Sequence, residues 1–78
     1  MKKPLGEDWQ RQATNLLKAE LTRRGIGYDQ LSEKLGAIDV EETANAINVK
    51  INRGSFSFVF FLQVMKAIGA KNLRIDED

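Results

Sequence analysis

The sequence predicts an all-α fold, and three observations carry the prediction. Apolar residues recur at spacings of three and four through most of the chain, the period of a helix with one buried face. Asp8, Asp39 and Ser57 stand just ahead of such runs, where short polar side chains cap a helix start. Gly25, Gly54 and Gly69 stand just after them, where glycine ends a helix.

The first helix is expected at 9–24. Trp9, Ala13, Leu16, Leu17 and Leu21 form its stripe, Asp8 caps it, and Gly25 follows Arg23 and Arg24. Residues 1–7, with Pro, Gly and charge but no period, read as a loose tail. The second helix runs from Tyr28 to about Leu35, with Leu31 and Leu35 in one row and Ile38 continuing it. Asp39 then opens a third segment, where Val40, Ala44, Ile47 and Ile51 repeat at 4-3-4. Glu42, three residues after Asp39, has the reciprocal logic of a capping box. Gly54 ends this helix.

The stretch 55–69 has two readings. Phe56, Phe58 and Phe60 alternate like a strand, whereas Phe58, Phe61, Leu62, Met65 and Ile68 fit the core face of a helix. Ser57 as cap, Gly69 as terminator and a run of about twelve residues favour the helix. Leu73 and Ile75 alternate with polar neighbours and suggest a short strand or extended arm. Residues 76–78 form an acidic tail, so a single domain spans 8–75.

Composition narrows the function. Seventy-eight residues allow one thin-cored domain, a size that commonly leans on disulfides, a metal or a second subunit. There is no Cys and no His, which removes disulfides, the usual zinc ligands and His-activated nucleophiles. No carboxylate pair has the spacing of an acid/base couple, and Gly25-Ile26-Gly27 lacks the third glycine of a dinucleotide loop. A non-enzymatic homodimer without metal or cofactor is therefore expected. The longest apolar run, Phe58 to Leu62, is far below the ~20 residues that span a bilayer. Lys2 and Lys3 lead into Pro4, Gly6, Glu7 and Asp8 rather than an apolar stretch, so a cytoplasmic protein is expected.

Net charge is +1 and the pI is near 8.0, below the value above ~9 typical of a nucleic-acid-binding domain. The charges are segregated, however. Residues 25–49 carry Lys34 against Asp29, Glu33, Asp39, Glu41 and Glu42, whereas residues 50–74 carry Lys50, Arg53, Lys66, Lys71 and Arg74 and no acid. Such a chain presents a basic face while nearly neutral overall.

Two surfaces stand out. With Val40, Ala44, Ile47 and Ile51 turned inward, the third helix shows Glu42, Asn45, Val49, Asn52 and Arg53 outward, with Asn48 on the flank. Asn pairs with adenine N6 and N7, Arg with guanine O6 and N7, and Val with a thymine methyl. Lys50, Lys66, Lys71 and Arg74 would face phosphates, while Glu41 and Glu42 would repel them. The fourth helix has a second apolar stripe, Phe60, Val64 and Ala67. That stripe is expected to form a dimer or partner interface, extended by Leu73 and Ile75.

Three segments carry a family resemblance: Leu17-Lys18-Ala19-Glu20-Leu21 with Gly25-Ile26, then Leu31-Ser32-Glu33-Lys34-Leu35-Gly36, then Ile47 through Gly69. In that order the chain resembles helix-turn-helix domains of the phage-repressor, Cro and Xre type. It is most similar to a small bacterial family of uncharacterised domains with the core Lys50-Ile51-Asn52-Arg53-Gly54-Ser55-Phe56. The resemblance implies a compact, lambda-repressor-like bundle of four or five helices whose third helix enters the major groove of duplex DNA. It also implies a phosphate contact from Gln30 and a role in transcriptional regulation. Three departures stand out. Gly27 replaces the usual Ser or Thr cap, Ser32 replaces the usual Ala, and eleven steps separate Gly36 from Ile47, more than the family's usual spacing. The last departure lengthens the turn. The alternative is a protein-interaction module that keeps this scaffold and no longer binds DNA.

Overall fold

Leu17, Leu21, Leu31, Leu35, Ile47, Ile51, Phe60, Val64 and Met65 close into one core, which the computed structural model builds from four helices. It describes residues 6–73 and 75. The helices are α1 (Gly6–Arg23), α2 (Tyr28–Gly36), α3 (Ala44–Arg53) and α4 (Phe58–Ala67), with no strand among the described residues. α3 packs against both α1 and α2, and α2 packs against α4. The fold is all-α, a small helical bundle.

α1 starts three residues before the expected Trp9. Asp8 therefore lies inside the first turn, near the positive end of the helix dipole. Trp9 is 61% exposed: the buried stripe of α1 begins at Thr14, one helix turn beyond the expected start. The Thr14 hydroxyl donates to the Ile51 carbonyl at 2.6 Å, so α1 satisfies an orphan acceptor in the last turn of α3. Close by, Gly54 turns the chain at φ 76°. A Cβ there would meet the Gln10 carbonyl oxygen at 2.2 Å, and only glycine fits. Glu20 is buried and ion-paired to Arg23 at 3.0 Å and Arg24 at 2.5 Å, a cluster the apolar periodicity did not reveal.

The third helix is shorter than expected. Asp39 is not its cap; it has φ 63° and lies at the exit of α2. Val40 N–H reaches Leu35 O at 2.9 Å and Asp39 N–H reaches Gly36 O at 3.0 Å, the paired bonds of a Schellman C-terminus. Val40 packs against the core from that position, which commits it to the end of α2. The chain then runs outside any helix to Thr43, whose hydroxyl accepts from Ala46 N–H at 3.0 Å and caps α3. The turn between α2 and α3 is thus lengthened.

α4 begins at Ser57, whose hydroxyl accepts from Phe60 N–H at 3.0 Å, as expected. Its rotation about its axis differs from the one expected. Phe60 and Val64 are core residues at 4% and 0% exposure, and Ala67 packs beside them. Of the five residues assigned to the core, Phe58 and Leu62 are 69% and 51% exposed, Phe61 and Ile68 are half-buried, and Met65 is buried. Nearly every position of α4 is apolar, so the pattern does not choose a phase. Residues 71–73 and 75 form no strand. Leu73 is partly buried against the core, whereas Ile75 is exposed. The expected interface of Phe60, Val64, Ala67 and Leu73 is turned into the domain.

Candidate nucleic-acid interface

α3 places its two faces as the spacing predicts. Ile47 and Ile51 are fully buried, and Asn45, Asn48, Val49, Asn52 and Arg53 are all exposed. The helix carries no acidic residue, and Lys50 and Arg53 sit in its last turn, where cations complement the dipole. Val49 stays 46% exposed among the amides. The Asn52 amide nitrogen donates to the Asn48 carbonyl at 2.9 Å and to Asn48 Oδ1 at 2.5 Å.

Lys50, expected at a phosphate, keeps 43% of its side chain exposed but is engaged within the domain. Its ammonium bonds Glu42 Oε2 at 2.5 Å and sits 5.1 Å from the Phe60 ring centroid. One side chain therefore ties the loop before α3 to α4. The same pair neutralises Glu42, an acid in the loop just before α3. Glu41 remains exposed.

Ser32 supplies a feature that sequence reasoning passed over. Its hydroxyl donates to the Glu42 carbonyl at 2.6 Å and pins the long turn to α2 one residue before the Thr43 cap. The signal was the departure itself, a hydroxyl where the family pattern has Ala. Gln30 Oε1 accepts from Gly27 N–H at 2.9 Å. That bond is the N3-to-N-cap half of a capping box, since Gly27 has no side chain to cap the helix, and it leaves the exposed Gln30 NH2 with no partner among the described residues. Arg53, Lys66 and Lys71 are exposed, with no ion-pair partner among the described residues. Arg74 lies outside the described residues.

The exposed surface of α4 carries Phe58, Val59 and Leu62, with Phe58 stacked on Phe61 at 5.9 Å. Among the described residues no group of acids can hold a metal ion, and no helix is long and apolar enough to cross a membrane.

A family model described as "Domain of unknown function (DUF6471)" matches residues 9–73. No curated protein and no solved structure matches the chain.

Proposed function

The chain belongs to the DUF6471 family, and we propose that it is a helix-turn-helix regulator that binds duplex DNA as a homodimer. α2 and α3 form the motif, with α3 in the major groove. Asn45, Asn48, Val49, Asn52 and Arg53 read base edges, while Gln30, Lys66 and Lys71 contact phosphates. One observation carries the reading: the exposed face of α3 bears only amides, one valine and one arginine, and Glu42, in the loop before it, is paired. A merely solvated helix favours Glu, Lys and Gln, since Asn competes with its own backbone for hydrogen bonds.

A second copy belongs to the proposal because a ten-residue α3 covers one short half-site, and repressors of this kind bind two. The exposed Phe58, Val59 and Leu62 replace the buried stripe as its contact. They carry no charge and can face themselves without repulsion.

Fluorescence anisotropy with a labelled pool of duplex fragments tests the reading. Binding should weaken steeply between 50 and 200 mM salt, with a log–log slope of about −0.9 per phosphate contacted. Folded protein that binds no duplex at low salt would sink the proposal. The α4 face favours the second reading in that case, an interaction module on the same scaffold.

A further inference from the structure

We infer that Asn48 and Asn52 act as one joined reading head for an A·T base pair, with Val49 on the thymine methyl. The inference rests on the DNA-binding reading above. A backbone carbonyl only accepts hydrogen bonds, so the Asn48 C=O fixes which end of the Asn52 amide faces it. The same nitrogen also donates to Asn48 Oδ1. Both Asn52 protons and one of the two acceptor positions on the Asn48 side-chain oxygen are thereby occupied within the helix.

Asn48 Nδ2, a donor, and Asn52 Oδ1, an acceptor, remain for a ligand. Adenine offers the complement in the major groove, an N7 acceptor beside an N6 donor. A C·G pair also sets a donor, cytosine N4, beside an acceptor, guanine O6. Val49 separates the two cases. It is exposed between the two amides in the chain, and a thymine methyl is the apolar group of the major groove. The internal bonds also hold both amides in place before binding, which lowers the ordering cost of contact.

The test starts with selection of binding sites from a random duplex library by the full chain. Anisotropy titrations on the selected site then replace each adenine in turn with 7-deazaadenine, and each thymine with uracil. At one A·T pair the deaza base should weaken wild-type binding about 5- to 100-fold, with a smaller loss from uracil there. Asn48→Ala should bind more weakly yet be indifferent to that deaza base, and circular dichroism checks its fold. If the selected sites respond to no deaza substitution, or hold C·G where Asn48→Ala relaxes selectivity, the inference fails and DNA binding stands. If no duplex is selected and none binds at low salt, both fall.

Discussion

Asp39 occupies a left-handed conformation in which glycine costs least. Gly25 and Gly69 fill the equivalent places after α1 and α4, with φ 66° and 74° and the same paired backbone bonds. Asp39→Gly should therefore stabilise the domain by about 0.5–1 kcal/mol. Thermal denaturation should show Tm rising by about 3–6 °C. A fall would mean that the Asp39 carboxylate itself holds the turn. Gly54 is the opposite case, because added bulk collides with the Gln10 backbone rather than a movable side chain. Gly54→Ala should cost about 3 kcal/mol or more, read as a lowered urea midpoint by circular dichroism. An unchanged midpoint would show that α1 can shift away from the turn.

At the scale of elements, the four helices and the inward face of α3 were legible because Ile47 and Ile51 lie among polar neighbours. The start of α3 was not. Asp is both a good N-cap and a tolerated left-handed residue, and only the bond from Val40 to Leu35 decides which role Asp39 takes. The phase of α4 was hidden for a different reason. Phe58, Val59, Phe60, Phe61, Leu62 and Val64 spread apolar side chains around most of the helix, so the pattern alone does not choose which of them are buried. The candidate interface was half legible: spacing set the outward residues of α3, whereas the engagement of Lys50 by Glu42 and Phe60 is a tertiary fact. Ser32 holds the long turn by one hydrogen bond, so Ser32→Ala should cost about 1 kcal/mol. Hydrogen exchange should quicken at the backbone amides of 40–46 and not at the α1 core. Uniform quickening would assign Ser32 to the global fold instead.

At the scale of the whole molecule, nine buried apolar side chains among the described residues make a small core, while Phe58, Val59 and Leu62 remain outside it. Leu62→Asp should still fold, with the helical circular dichroism of the wild type, since Leu62 is 51% exposed. Light scattering should then show monomer mass where the wild type shows dimer. A wild type that is monomeric at all concentrations would remove the homodimer. Loss of folding in Leu62→Asp would show that this face supports the domain itself.

The single tryptophan has an optical consequence. Trp9 lies in the first half of α1 and is mostly surrounded by water, so its emission in the folded protein should already be red-shifted. Melting the core then alters its colour little, and a fluorescence-monitored denaturation would understate unfolding that circular dichroism records. The same indole is a built-in beacon for any molecule that covers the start of α1, turning blue only when something settles there.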